Sequence, residues 1–228
     1  MTAEKVDFDN YAEQYEKQLA EGLKFFGEDN SYFADYKINI IKNTIDVAPE
    51  RILEYGCGIG RNIEFFSKYF PGAKVYGCDI SQKSLEIAGR TNPKAGFFKI
   101  TDEEINGHSD SFDLIFISCV FHHIEPALRT VSMNNVYKLL KEGGNFFFFE
   151  HNPYNPVTQR IVNTCPWDTD AILLKPKESF DLISKSGFNI KKKKYTLFFP
   201  SFLKFLRPLE NVMWFLPLGG QYYIHSVK

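Results

Sequence analysis

The chain has 228 residues, 24% of them charged, and a formal net charge of −1 from 27 basic and 28 acidic side chains. That length suits one α/β domain with a full core. The charge balance lacks the basic excess with which proteins grip phosphate backbones, so no nucleic-acid partner is expected. The N-terminal run is charged and mixed, unlike a secretory leader, and no stretch nears the ~20 continuous apolar residues of a bilayer span. Cys57, Cys78, Cys119 and Cys165 lie far apart and lack the C-x2-C spacing of a zinc site. No metal site is expected, and free thiols point to a reduced, cytoplasmic location.

Two helices are predicted first. Phe8, Tyr11, Tyr15 and Leu19 recur at helical spacing, and a second periodic stretch covers 32–47, ended by Pro49. From there strands and helices alternate. The expected strands are 51–55, 74–79, 95–100, 112–118 and 145–150, with helices over 61–69, from the cap Ser81 to 90, and over 125–140. Residues 141–144, Lys-Glu-Gly-Gly, read as a turn. This βαβ rhythm implies a doubly wound sheet with right-handed crossovers.

After His151 the rhythm changes. Residues 152–175 are rich in proline and read as loop, 177–186 as helix, and 188–199 and 221–227 as strands. No crossover helix separates those two strands, so they are expected to form an antiparallel pair at one edge of the sheet. The whole chain, 1–228, reads as one domain: N-terminal helices over 1–48, a cofactor-binding half over 49–151 and an acceptor-side half over 152–228.

The densest chemical signal is Glu54-Tyr55-Gly56-Cys57-Gly58-Ile59-Gly60, where a strand ends in a glycine-rich turn that opens a helix. Glycines let the backbone bend sharply and approach a ligand without a Cβ in the way. A dinucleotide site wants G-x-G-x-x-G/A. Here the glycines fall at 56, 58 and 60, position 61 is Arg, and Glu54 precedes the turn. Asp79 closes the next strand, where a carboxylate accepts hydrogen bonds from ribose hydroxyls.

These segments resemble the class I S-adenosylmethionine-dependent methyltransferases. ILEYGCGIGRN is similar to that family's first motif and VYGCDIS to its second. SFDLIFISCVFHHI resembles the segment around its fourth strand and LLKEGGNFFFFEHN the one around its fifth, so the likeness runs over 52–150. The resemblance implies an α/β, doubly wound, seven-stranded mixed sheet of order 3-2-1-4-5-7-6. Its last strand is antiparallel, and N-terminal helices form a lid. It implies S-adenosylmethionine as cofactor and S-adenosylhomocysteine as product. It also places Glu54 at the methionine amino group and Gly56, Cys57 and Gly58 under the methionine moiety. Asp79 would then meet the ribose, Ile80 the adenine face, Asp102 the adenine amine and Ser118 the sulfonium. Tyr11 and Tyr15 resemble lid aromatics; as residues of an amphipathic helix they equally suit a core.

A sulfonium is an activated methyl donor, so alignment, which can supply ~7–11 kcal/mol, outweighs a general base at ~10²–10⁴-fold. Three histidines, His122, His123 and His151, fall at strand ends on the cofactor edge and are the candidate bases for O-methylation. Neighbouring residues do not share a face, so at most one of His122 and His123 is expected to point at the acceptor. Residues 200–220 are too apolar for an ordinary loop. They suit extra core, a cap over a small-molecule or lipid-linked acceptor, or a peripheral membrane contact beside the basic run 191–194. Within 151–176, Tyr154, Asn155, Arg160, Asn163 and Trp167 are candidates to shape an acceptor pocket. Asn152-Pro153-Tyr154 imitates the (D/N)-P-P-(Y/F) signature of amino-methylating nucleic-acid enzymes, but it follows the fifth strand rather than the fourth and has one proline. A nicotinamide-dependent oxidoreductase and a non-enzymatic S-adenosylmethionine-binding protein remain the rival readings.

Overall fold

Short apolar runs closed by glycine or proline become buried strands, and the segments between them become helices that cover both faces. The computed structural model describes Val6, Asp9 and residues 30–228. The lid aromatics Tyr11 and Tyr15 therefore lie outside the described residues. In chain order the elements are α1 (Asn30–Lys42), β1 (Arg51–Tyr55), α2 (Ile63–Tyr69), β2 (Lys74–Asp79), α3 (Gln82–Thr91), β3 (Gly96–Lys99), α4 (Asp102–Gly107) and β4 (Phe112–Ser118). They continue with α5 (Arg129–Leu139), β5 (Leu140–His151), α6 (Pro156–Thr164), α7 (Pro176–Lys185), β6 (Asn189–Thr196), α8 (Glu210–Met213) and β7 (Gln221–Val227).

The seven strands form one sheet in the order β3-β2-β1-β4-β5-β7-β6. β1 to β5 pair in parallel, and β7 runs antiparallel to both β5 and β6. The expected topology and its antiparallel edge pair are both present. The four phenylalanines of β5 alternate across the sheet as a two-residue period demands. Phe146 and Phe148 join Leu53, Ile115 and Tyr222 on one face. Phe147 and Phe149 join Ile52, Phe116 and the α1 residues Ile38 and Ile41 on the other.

Several boundaries differ from the sequence expectation for local reasons. α1 stops at Lys42 rather than continuing to 47, because the Asn43 and Thr44 side chains fold back onto the carbonyls of Asn39 and Ile40. The turn expected at 141–144 is a bulge within β5: Phe112 pairs with Leu140 and Leu114 with Asn145, and Gly143 takes φ 75°. Residues 125–128 form a tight 3₁₀ turn before α5 instead of its first helical turn.

Two helices went unforeseen. α4 starts on the cap Thr101, whose hydroxyl accepts from the Glu104 amide. α6 starts on Asn155, whose side chain accepts from the amides of Val157 and Thr158. Among the described residues no helix is long and apolar enough to cross a membrane.

Residues 200–220 are not extra core. A 3₁₀ segment (Ser201–Leu209) leads into α8, and Phe202, Phe205, Val212 and Phe215 are all exposed. Glu210 anchors the segment, accepting from the Phe198 and Phe199 amides and from the Tyr36 hydroxyl on α1.

Candidate active site

The carboxyl ends of β1, β2, β4 and β5 converge on one edge of the sheet, where ligands bind in open α/β folds. At the β1 end the chain leaves the strand at Gly56, whose amide, with that of Cys57, donates to the Cys78 carbonyl (2.8 and 3.0 Å). Gly56 has φ 75°, and a Cβ there would lie 2.6 Å from Cγ2 of Val120, so the turn closes against the loop after β4 only as glycine. Gly58, at φ 51°, differs in kind. A Cβ there would meet nothing within 4 Å, so the backbone lines open space.

Two carboxylates flank that space. Asp79 accepts from the Gly58 amide through one oxygen (2.8 Å) and from the Ser81 amide through the other (2.9 Å). Burial raises its pKa, against the pull of those amides. Glu54 is buried; its Oε1 accepts from the Asn62 side-chain amide (2.5 Å), while its Oε2 has no hydrogen-bond partner. Burial pushes its pKa up to about 8, with the Asn62 bond and the Lys37 charge in opposition. A buried acceptor with nothing to accept is a costly arrangement in a folded protein. It is the complement of a cationic amine, so the residues present fit an amino-acid-bearing cofactor. Cys57 is a buried thiol whose pKa burial raises.

Ser118 ends β4 and accepts from Nζ of Lys37 (2.6 Å), a buried lysine of α1. Ile80, the residue after Asp79, is 54% exposed. Asp102 is exposed in the first turn of α4. Thus Glu54, Gly56, Cys57, Gly58, Asp79 and Ser118 gather at strand ends, whereas Ile80 and Asp102 stand at the solvent side. Val6 and Asp9 reach the same edge: Asp9 accepts from the Ser81 hydroxyl, and the Val6 amide donates to Asp170.

On the other side of the edge, Glu150 at the end of β5 organises the loop after β4. Its Oε1 accepts from the amides of Val120 and Phe121 (3.1 and 2.8 Å), and its Oε2 lies 2.7 Å from Nδ1 of His122. Burial disfavours charge on both partners, but their mutual attraction outweighs it. The Glu150 pKa falls to about 2, and that of His122, also beside Asp168, rises to about 10. His151 is half-buried, with its ring centroid 5.1 Å from that of His122. Burial and then the His122 charge lower its pKa to about 4, so it is a neutral imidazole at pH 7.

His122 and His123 do not diverge as adjacent residues of a regular helix would. They sit in a one-turn 3₁₀ element (Phe121–His123), their centroids are 4.1 Å apart, and both reach Asp168. Of the residues proposed to shape an acceptor pocket, Trp167 is buried and Tyr154 exposed, while Asn155 serves as the α6 cap.

Lys37, Asn62, Glu150, Asp168 and Asp170 were not singled out from the sequence. Lys37 had a signal, since it shares the buried face of Ala34, Ile38 and Ile41. Glu150 had one too, as a lone acid ending an apolar strand beside a histidine. Asp168 and Asp170 had none, because their partners lie far away in the chain.

Residues 53–146 match the family model for a methyltransferase domain. Thiocyanate methyltransferase 1 of Brassica oleracea is 37% identical over 99 residues, which cover 41% of this chain and 43% of that protein. The tRNA N(3)-methylcytidine methyltransferase Mettl2 of Drosophila melanogaster is 26% identical over 168 residues, covering 63% of this chain and 52% of that one. A solved SAM-dependent methyltransferase from Archaeoglobus fulgidus shares the fold with a TM-score of 0.68 at 16% identity, over 88% of this chain and 95% of that one. The chain spans about half the length of the curated relatives it matches. Residues 53–146, from β1 into β5, thus match a methyltransferase domain, and the seven-stranded fold around them is the one seen in the solved SAM-dependent methyltransferase.

Proposed function

We propose that the chain transfers the methyl group of S-adenosylmethionine to an oxygen of a small-molecule or lipid-linked acceptor. The observation that carries this reading is the pairing of open space over Gly58 with the unsatisfied Oε2 of Glu54. Glu54 would receive the ammonium of the methionine moiety and Asp79 the ribose hydroxyls. When bound, the cofactor supplies an electrophilic methyl group on a sulfonium. The chain's own residues then have to align the acceptor and take up its proton. The imidazole of His151, neutral and within electrostatic reach of Lys37, would take up the proton, and the Lys37 side chain would hold an acidic acceptor oxygen in place.

Calorimetric titration with S-adenosylhomocysteine should give one site per chain, and Asp79→Ala should weaken it about 100-fold, since hydrogen bonds to a charged group contribute ~1.5–3 kcal/mol each. A wild-type protein that binds NAD and not S-adenosylhomocysteine overturns the reading. Cell extract incubated with methyl-labelled cofactor, split into aqueous and lipid fractions, identifies the acceptor. An oxygen-linked label lost in His151→Ala supports the assignment, and a nitrogen- or carbon-linked label refutes O-methylation.

A lipid-linked acceptor is favoured by the surface over 200–218. Phe205 is 72% exposed and Val212 65%. This apolar face is joined to the lysine-bearing strand β6, because the Tyr195 amide donates to the Trp214 carbonyl and Nζ of Lys194 lies 5.6 Å from the Trp214 ring. Apolar side chains beside a row of lysines suit an anionic membrane surface. Nucleic acid, by the charge balance, does not enter the proposal.

A further inference from the structure

Beyond the glycine turn, the acceptor side holds a cluster of two histidines and three acids. On one side of His122, Nδ1 meets Glu150 Oε2 at 2.7 Å, the length of a charge-assisted hydrogen bond. On its other side, Nε2 stands 3.6 Å from Asp168 Oδ1. The Nε2 of His123 is 3.3 Å from the same Asp168 Oδ1, and its Nδ1 stands 3.5 Å from Asp170 Oδ1, longer than the His122–Glu150 bond. Both imidazoles therefore turn Nε2 toward one shared oxygen and Nδ1 toward a second carboxylate.

The separations on the Nε2 side exceed the ~2.7–2.9 Å of an ionic hydrogen bond. They match a different geometry: donors ~2.0–2.1 Å from a tetrahedral zinc stand about 3.3 Å from one another. One donor atom from each of His122, His123 and Asp168 lies within 4.8 Å of the other two. The carboxylate hydrogen-bonded to the far nitrogen of His122 is the support that metal-binding histidines usually have, since it fixes the tautomer and raises the basicity of the ligating nitrogen; Asp170 faces the far nitrogen of His123 at 3.5 Å. The charges also balance. Glu150, Asp168 and Asp170 outnumber the two imidazoles, and a divalent ion bound by neutral histidines compensates two of the three negative charges.

The geometry points to a divalent transition-metal site, of the zinc class, formed by His122 Nε2, His123 Nε2 and Asp168 Oδ1, with Glu150 and Asp170 as the supporting carboxylates. Imidazole and carboxylate donors suit zinc, and three protein ligands leave a fourth position for water or another donor. The ion ties the segment around Asp168 to the loop after β4, two stretches that the sequence places far apart. Nothing in this assignment depends on the identity of the methyl acceptor.

The test starts from full-length protein stripped with a chelator and dialysed. Titration with ZnCl₂ followed by elemental analysis should show one zinc per chain. Cobalt(II) in its place should give the intense visible absorption of a four-coordinate ion, a readout that needs no variant. Asp168→Ala should abolish both. Asp170→Asn, which keeps all three ligands, should weaken zinc binding about 10–100-fold. The proposal fails if the wild type holds no more zinc than Asp168→Ala, if the cobalt spectrum is that of the hydrated ion, or if Asp170→Asn binds zinc as tightly as the wild type. Because S-adenosylhomocysteine binding is measured separately, loss of zinc and loss of cofactor are told apart.

Discussion

The two halves of the carboxyl edge are built on opposite principles. Around β1 and β2 the site is mostly backbone: a left-handed glycine, amides aimed at Asp79, and one buried acid with an oxygen to spare. Around β4 and β5 it is a network of ionisable side chains in which Glu150 holds His122, and His122 and His123 share Asp168. The first half is under-satisfied and waits for a ligand. In the second, Glu150 is satisfied from within by His122 and two amides, so removing it should damage the protein before it damages recognition.

The largest effect is expected from Glu150→Ala in metal-free protein. There it leaves His122 charged, buried and short of one partner, which typically costs ~3–5 kcal/mol. A domain of this size loses about 2–4 °C of Tm per kcal/mol, so calorimetry should show a fall on the order of 10 °C. An unchanged Tm would mean that the network does not hold the acceptor half together.

Gly58→Val should behave in the opposite way. A Cβ there meets nothing within 4 Å, and the left-handed backbone is expected to cost ~1–2 kcal/mol. The side chain fills the space assigned to the cofactor, however, and S-adenosylhomocysteine affinity should drop by more than tenfold in a titration. Equal affinity for wild type and variant would remove Gly58 from the site.

A smaller effect concerns pH. The folded pKa of Glu54 is raised to about 8 from an ordinary 4.5, so the folded state binds the extra proton between those values. Stability contributed by protonated Glu54 is complete below pH 4.5 and is lost as pH rises through 8. In ligand-free protein, the difference in Tm between Glu54→Gln and wild type should therefore widen in favour of the variant from pH 6.5 to 8.5. A constant difference would show that Glu54 does not titrate in this window.

The smallest stability effect is expected on the surface, where Phe205→Ser with Phe215→Ser should change stability by no more than ~0.5 kcal/mol per site. The same pair should abolish co-sedimentation with anionic phospholipid vesicles. Retained binding would separate the acceptor surface from this patch.

The strands were legible because buried strands leave a local mark. Residues 51–55, 74–79, 112–118 and 221–227 were delimited from apolar runs and their punctuation, and the structure keeps those bounds. The helices α4 and α6 were missed because a short helix with one good cap carries little periodicity. The chain order of glycine turn and ribose acid was readable too, since all of it falls within one βαβ unit. The network around His122 was not, for its members come from 122–123, 150 and 168–170, and only the sheet brings those segments together.

The sequence carried the fold class through its alternating strand and helix segments, the donor-side turn through its glycine spacing, and the strand order only through its resemblance, since β1–β4 and β5–β7 join residues far apart in the chain. The tertiary structure alone decided that Lys37 reaches Ser118, that Glu54 keeps an unpaired oxygen, and that two neighbouring histidines meet at Asp168. It also decided that residues 200–218 face outward. Burial and charge pairing are properties of the packed sheet edge, and no local pattern specifies which distant acid will stand opposite a given imidazole.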